Sequence, residues 1–204
     1  MKKLHRPDLY AWSRFDESRN IDFHGYLWLN AGFNVAVDPL PLSAHDERHL
    51  AELGGASLVI LTNSDHVRGT ERFVELTGAR VAGPSAERDQ FPFACQEWLR
   101  EGDQPHPGLV IVELAGSKTP GELCLVLAGT GGKTLITGDL VRAHEGGSLN
   151  LLPDAKLSDR GLALASVRRL LELRPIEAVL PGDGWPVFRD GQRVLAELVA
   201  ESGG

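Results

Sequence analysis

Three apolar segments of this sequence each lead into an aspartate, and this pattern constrains the fold more than any other feature. The segments are "LVILTNSDH" (58–66), "KTLITGD" (133–139) and "EAVLPGDG" (177–184). Apolar runs of this length are typical of buried strands, and a strand end is a rigid support for side chains that meet in a cleft. The pattern predicts a shared site of four residues, Asp65, His66, Asp139 and Asp183.

The order of the predicted elements indicates a mixed chain of helices and strands. The first half predicts a hairpin over 23–37, a helix over 44–53 after the N-cap Ser43, a strand over 58–61, a helix over 70–77 and a strand over 79–83. The second half predicts a three-stranded meander over 108–139, a helix over 158–174, a strand over 177–184 and a helix over 191–201. Because no repeat or linker interrupts this order, we expect one domain over residues 1–204.

Charge and composition exclude several classes of function. The chain has 204 residues and a formal net charge of −7, which disfavours binding to nucleic acid or to an anionic membrane. Cys95 and Cys124 stand in no CxxC pattern, so a cysteine-rich zinc site is excluded. No apolar run approaches the ~18 residues of a transmembrane helix, and no secretory signal pattern is present. We therefore expect a cytoplasmic protein that acts on a small molecule, as a monomer or a homo-oligomer.

Carboxylates and an imidazole are suitable ligands for a divalent cation, with water completing the shell. Taken singly, however, each aspartate is more typical of a turn or a helix N-cap, and His66 is more typical of a buried structural histidine. The functional interpretation requires that the groups converge. It requires Asp139 to lie within ~10 Å of His66, because ligand bonds are only ~2 Å long.

Four segments, in their order along the chain, resemble the metallo-β-lactamase superfamily of metal-dependent hydrolases. The segments "ILTNSDHVRG", "AGSKTPGE", "LITGDLV" and "VLPGDGW" are similar to the family's motifs THxHxDH, GHTPG, TGD and PGHG. The resemblance covers about residues 25–185. It implies an α+β fold, the four-layer αββα sandwich of the metallo-β-lactamase type, with a cleft that holds metal ions at two positions.

The departures from these motifs fall mainly on one of the two metal positions. Aligned with the motifs, the first position falls on Leu61, Asn63 and Lys118, none of which is a good zinc ligand. The second position falls on four residues that are all able to bind a metal, Asp65, His66, Asp139 and Asp183. The resemblance therefore implies either one divalent ion, Zn, Mn or Fe, or no ion at all.

Lys118 stands where the family has a metal ligand, and its positive charge suggests a substitute for the missing ion. Neighbouring carboxylates raise each other's pKa values unless a cation compensates them. Without a metal, Lys118 and a protonated His66 leave one negative charge uncompensated, so one aspartate is expected to bind a proton. The alternative is that Lys118 is a solvent-facing turn residue.

Several polar residues are candidates for catalysis or for substrate contacts. Asp65 and Lys118 are the predicted catalytic residues, and the predicted substrate-binding residues are His24, Asn63, Arg68 and His144. Structural roles stay open for three of them: packing of a hairpin for His24, an ion pair for Arg68 and a glycine-rich loop for His144.

The sequence leaves two functions open. One is a divergent hydrolase that cleaves an ester, thioester, lactam or phosphoester with at most one metal ion. The other is a catalytically inactive, metal-free relative that keeps the fold for small-molecule binding or interaction. The fold alone does not decide between them, because one scaffold supports many chemistries.

Overall fold

The computed structural model describes residues 1–203, which form thirteen strands and four α-helices. The strands are β1 (Lys2–Lys3), β2 (Leu9–Asp16), β3 (Ile21–Trp28), β4 (Val35–Val37), β5 (Leu58–Ile60), β6 (Arg80–Pro84), β7 (Glu97–Leu99), β8 (Leu109–Leu114), β9 (Glu122–Leu127), β10 (Lys133–Thr137), β11 (Val141–Arg142), β12 (Asn150–Leu151) and β13 (Ile176–Pro181). The helices are α1 (Ala44–Glu52), α2 (Thr70–Thr77), α3 (Arg160–Leu171) and α4 (Gly191–Ser202). No helix within residues 1–203 is long and apolar enough to cross a membrane.

Two sheets form the centre of the fold. The first sheet has seven strands in the order β1-β2-β3-β4-β5-β6-β7, and its second half, from β4 to β7, is parallel. The second sheet has four strands in the order β13-β10-β9-β8, with β10 and β13 parallel and the other pairs antiparallel. The predicted hairpin is the antiparallel pair β3–β4, and the predicted meander is β8–β9–β10.

The side chains of each strand alternate between two apolar layers. In β5, Leu58 and Ile60 pack in a core that also contains Ile111 and Leu125 of the second sheet, so this core lies between the sheets. Val59 of the same strand packs with residues of α1 and α2 on the other face. This alternation is the two-residue period of a strand that is covered on both faces.

The second sheet has the same construction on its outer face. Val112 of β8 and Leu135 of β10 pack with Val167 of α3 and Leu195 of α4. The layers therefore follow the order helices, sheet, sheet, helices, and the predicted αββα sandwich is confirmed.

The helix ends show why these segments are helical. Ser43 accepts a hydrogen bond from the backbone N–H of Asp46, and the Asp46 side chain accepts one from the backbone N–H of Ser43, which together form a capping box for α1. Asp159 caps α3 through the N–H of Leu162. Gly78 ends α2 with a φ of +68°, a conformation that glycine adopts without steric cost.

The topology brings the polar strand ends to one edge of the sandwich. Asp38 follows β4, the segment 62–66 follows β5, Asp139 follows β10 and Asp183 follows β13. Since β4 and β5 run parallel in one sheet, and β10 and β13 run parallel in the other, their carboxyl ends meet at the same side. Ligand sites are commonly built at such strand ends.

Candidate functional site

A cleft of about 420 Å³ opens at this edge, between the ends of the two sheets. Its size is within the range of small-molecule sites. Its walls are predominantly polar. The lining residues are Asp16, Arg19, Phe23, Asp65, His66, Arg68, Lys118, Asp139 and Asp183.

His66 is held at the base of the cleft by the loops after β4 and β5. Its Nδ1 lies 2.8 Å from Asp38 Oδ2 and 3.0 Å from Thr62 Oγ1. Thr62 in turn donates from its hydroxyl to the same Asp38 oxygen, at 2.7 Å. Burial and the neighbouring Arg68 disfavour a charged imidazole, but the carboxylates of Asp38 and Asp139 outweigh them and raise the pKa of His66 to about 8. The neighbouring carboxylates therefore favour the protonated, cationic form of His66.

Asp139 is the point at which the other side chains meet. Its Oδ2 lies 2.8 Å from Lys118 Nζ, 3.4 Å from His66 Nε2 and 3.1 Å from Asn63 Nδ2, which donates to it. Burial raises the pKa of this carboxyl, but His66 and Lys118 outweigh burial and hold it well below its usual value. The required approach of Asp139 to His66 is thus confirmed, at 3.4 Å.

Lys118 lies between two carboxylates. Its Nζ is 2.7 Å from Asp65 Oδ2 and 2.8 Å from Asp139 Oδ2. Burial lowers the pKa of Lys118, but Asp139 and Asp65 outweigh it and raise the pKa above its ordinary value. Lys118 is exposed at the cleft rim, as the solvent-facing alternative expects, but its ammonium group points into the cleft and contacts both carboxylates.

Asp183 is paired with two arginines. Arg68 donates from its terminal nitrogen to Asp183 Oδ1 at 3.1 Å, and Arg142 donates to Asp183 Oδ2. The same nitrogen of Arg142 lies 3.6 Å from Asp139 Oδ1. Gly184, directly after Asp183, has a φ of +93°, and a Cβ there would overlap the backbone of Ala143. Glycine is therefore needed for the turn that aims Asp183 at the arginines.

Three of the four predicted metal ligands lie close enough together for one ion. Donor atoms of His66, Asp139 and Asp183 all lie within 4.8 Å of one another. The fourth, Asp65, is instead paired with Lys118 at the more exposed rim. A candidate His/Asp/Asp metal site therefore exists, and its fit depends on what already surrounds the donor atoms.

The surroundings of these donor atoms do not fit a resident divalent ion. Each of the four carboxylate oxygens of Asp139 and Asp183 has a cationic nitrogen within ion-pair distance, from Lys118, Arg68 or Arg142. A metal ion would have to displace these side chains, and permanent cations would repel it at short range.

The side chains around the candidate metal position already form ion pairs with one another. The carboxylates of Asp38, Asp65, Asp139 and Asp183 are paired with the nitrogens of His66, Lys118, Arg68 and Arg142. The prediction that one aspartate binds a proton did not count the positive charges of Arg68 and Arg142. It is wrong for Asp139, whose pKa is lowered.

Two fully buried glutamates lie beneath the cleft loops. Glu87 accepts from the backbone N–H of Ser64 at 2.6 Å and from that of Gly121 at 3.0 Å. Glu122 accepts from the hydroxyl of Ser117 at 2.5 Å and from the N–H of Leu140 at 2.8 Å. Burial and the charge of Asp139 raise the pKa of Glu122 to about 7. These glutamates fix the loops that carry Asp65, Lys118 and Asp139.

Three of the four predicted substrate-binding residues, His24, Asn63 and His144, do not line the cleft, and Asn63 is fully buried. His24 and Phe23 are neighbours in β3, so their side chains point to opposite faces of the sheet. Phe23 lines the cleft. His24 lines a separate apolar pocket, and its Nε2 lies 2.7 Å from the backbone oxygen of Gly184. His144 is exposed on the loop between β11 and β12. Asn63 and Arg68 contact the acidic groups of the site, as described above.

Asp38, Arg142 and Arg19 belong to the site but were not predicted. Asp38 follows the apolar strand "VAV" in the same way that Asp65 follows "LVIL", so the same pattern of an apolar strand and a following aspartate identifies it. The arginines had no such signal, because an arginine three residues after Asp139 or in a hairpin turn is common on any surface.

The fold and site together define a class: a four-layer sandwich with a polar cleft at the strand ends. A family model described as the metallo-β-lactamase superfamily matches residues 1–202. The chain therefore belongs to the metallo-β-lactamase superfamily. A search of curated proteins finds no match to this sequence.

Solved structures with the same fold cover nearly the whole chain. A metallo-β-lactamase from Pontibacter korlensis is 16% identical with a TM-score of 0.75, and the match covers 100% of this chain and 98% of that one. The DIM-1 metallo-β-lactamase is 12% identical with a TM-score of 0.73, covering 97% and 95% of the two chains. A metallo-β-lactamase from Hirschia baltica is 16% identical with a TM-score of 0.70, covering 95% and 92%. At these identities the likeness shows the fold alone.

Proposed function

We propose that this protein is a small-molecule hydrolase of the superfamily that works without a resident metal ion. The bond class is an ester, thioester, lactam or phosphoester. The observation that carries the proposal is the position of Lys118, whose Nζ lies 2.7 Å from Asp65 and 2.8 Å from Asp139 at the centre of the cleft. A fixed ammonium group supplies positive charge where a metal ion would otherwise supply it.

The proposed chemistry uses Lys118 and Asp65. Lys118 donates a hydrogen bond to the carbonyl or phosphoryl oxygen of the substrate and stabilises the negative charge that develops there. Asp65, whose side chain is 54% exposed, accepts a proton from the attacking water as general base. The water oxygen bonds to the carbonyl carbon or phosphorus, the bond to the leaving group breaks, and Asp65 returns the proton to that group.

The burial of Leu61 supports a shifted alignment with the family motif. Leu61 is fully buried among residues of α1 and α2, away from the cleft. Reading THxHxDH from Thr62 instead of Ile60 places Asn63, Asp65 and Arg68 at the histidine positions and Val67 at the aspartate position. In this alignment a cation stands at each former metal position, Lys118 at one and Arg68 at the other.

Metal analysis and a hydrolysis assay test the proposal together. Protein purified without chelator is expected to contain no stoichiometric Zn, Mn or Fe and to hydrolyse members of a p-nitrophenyl ester and phosphoester panel in the presence of EDTA. Lys118→Met and Asp65→Asn are expected to lose this activity, whereas Lys156→Met, on an exposed turn outside the cleft, keeps it. Stoichiometric metal that disappears in Asp139→Ala would refute the metal-free mechanism and favour a single ion at His66, Asp139 and Asp183.

A second candidate function is small-molecule binding without catalysis. The observation in its favour is that Lys118 and Asp139 are held in fixed charge states by their neighbours, whereas an efficient general acid or base has a pKa near the working pH. This candidate predicts no turnover of any panel compound, with or without added Mn or Zn, and ligand binding that Asp65→Asn leaves intact.

A further inference from the structure

The hairpin between β2 and β3 carries Arg19 at the rim of the cleft. The turn of this hairpin is held by Asp16, whose Oδ1 accepts from the Ser18 hydroxyl at 2.6 Å and from the backbone N–H of Arg19 at 3.0 Å. Asn20 has a φ of +50°, a left-handed conformation that asparagine tolerates better than most residues. The backbone of Arg19 is therefore fixed, although its side chain is exposed.

Phe23 provides a surface on which the Arg19 side chain rests. The guanidinium carbon of Arg19 lies 5.7 Å from the centre of the Phe23 ring, and that of Arg68 lies 4.8 Å from it. Cations at this distance are attracted to an aromatic ring. The contact keeps Arg19 beside the cleft, which Phe23 and Arg68 also line.

Arg19 differs from the other cations of the cleft wall in having no carboxylate partner. Lys118 is paired with Asp65 and Asp139, and Arg68 is paired with Asp183. Within residues 1–203, Arg19 lines the same cleft but forms no ion pair. Its guanidinium group is thus free to donate to a ligand.

We propose that Arg19 is a specificity residue that binds a carboxylate or phosphate group of the substrate. A guanidinium group matches these planar or tetrahedral anions with two parallel N–H donors. The substrate would then be a small hydrolysable molecule with one additional anionic group. Only the hydrolysis of this molecule rests on the proposed function; the binding of its anionic group to Arg19 does not.

Anion binding is measured without any catalytic assay. Inorganic phosphate and acetate are titrated separately into the full chain, and binding is followed by NMR through the Nε–H signal of Arg19, assigned with the Arg19→Gln variant, and through backbone signals of the hairpin. We expect millimolar binding of at least one anion, and a loss of about tenfold in affinity in Arg19→Gln, the size expected for one charge-assisted contact. Arg14→Gln, on the same hairpin but outside the cleft, is the matched control and keeps the wild-type affinity.

The results separate the two anion sources and decide the proposal. Binding of phosphate alone identifies a phosphorylated substrate, and binding of acetate alone identifies a carboxylated one; both support the proposal when they depend on Arg19. Equal affinity in wild type and Arg19→Gln, or no binding of either anion to wild type, overturns it.

A kinetic comparison keeps this inference apart from the proposed function. In wild type, p-nitrophenyl hydrogen succinate, which has a free carboxylate, is compared with neutral p-nitrophenyl acetate. Arg19→Gln is expected to raise KM for the anionic ester about tenfold, with kcat unchanged and the neutral ester unaffected. If no ester is hydrolysed but anion binding still depends on Arg19, the hydrolase proposal fails and the anion site stands.

Discussion

Replacing Lys118 with methionine is the most direct test of the charge arrangement in the cleft. Methionine keeps most of the length of the side chain and removes the ammonium group. The change leaves the buried carboxylate of Asp139 with three remaining polar partners, His66, Asn63 and Arg142. It also leaves Asp65 without its cation.

The size of the effect follows from burial. Breaking a fully buried ion pair costs about 3–5 kcal/mol, and breaking an exposed one costs about 0–1 kcal/mol. Lys118 is 28% exposed, while Asp139 is 3% exposed and keeps other partners. We therefore expect an intermediate loss of about 2 kcal/mol in the free energy of unfolding, which lowers Tm by about 4–8 °C for a chain of this size.

Thermal and urea unfolding of wild type, Lys118→Met and Lys156→Met measure this loss. Lys156 is exposed and outside the cleft, so its variant is expected to stay within about 0.5 kcal/mol of wild type. A Lys118→Met protein as stable as the control would refute the idea that the ammonium group compensates Asp139. Asp65→Asn, at the exposed end of the pair, is expected to cost less than about 1 kcal/mol.

Three further predictions concern pH, metal and the core. The pKa of His66 is raised from 6.5 to about 8, so the stability that protonated His66 gives to the fold is complete below pH 6.5 and is lost as the pH rises through 8. We expect urea unfolding to show a loss of about 2 kcal/mol over this interval. The His66→Gln variant is expected not to show this pH-dependent loss. Overnight treatment with EDTA is expected to leave Tm unchanged, because the cleft carboxylates are already neutralised by side chains; a fall of several degrees would indicate a bound ion. Leu61→Ala is expected to lower the free energy of unfolding by about 2–5 kcal/mol, because it leaves a cavity beside α1 and α2. The affinity for anions is expected to stay the same. A weakened anion site would contradict the placement of Leu61 in the core.

The strand ends that build the site could be predicted from the sequence because their signal is local. An apolar run followed by a turn and an aspartate identifies both the strand and the aspartate that follows its carboxyl end, as at Asp139 and Asp183. The parallel pairing of those strands then brings the aspartates to one edge. His66 follows β5 of the other sheet, so its approach to Asp139 depends also on how the two sheets pack against each other.

The partners of these carboxylates could not be predicted, because they depend on contacts between distant loops. Arg68, in the loop before α2, and Arg142, in β11, both reach Asp183 and are 115 and 41 residues away from it in sequence. The face of the sheet to which a strand side chain points could not be predicted from the sequence either. His24 points away from the cleft and Phe23 into it, and this is fixed by the register of β3 against β2.

Glu87 and Glu122 hold the backbone of three loops from the inside of the protein, through bonds to main-chain N–H groups and one serine hydroxyl. The shape of those loops is therefore set by residues that never meet a ligand. Side chains at the mouth of the site are free to be exchanged, by natural divergence or by an engineer, while the loops keep their course. This scaffold is accordingly a suitable host for grafting a new binding group at position 65.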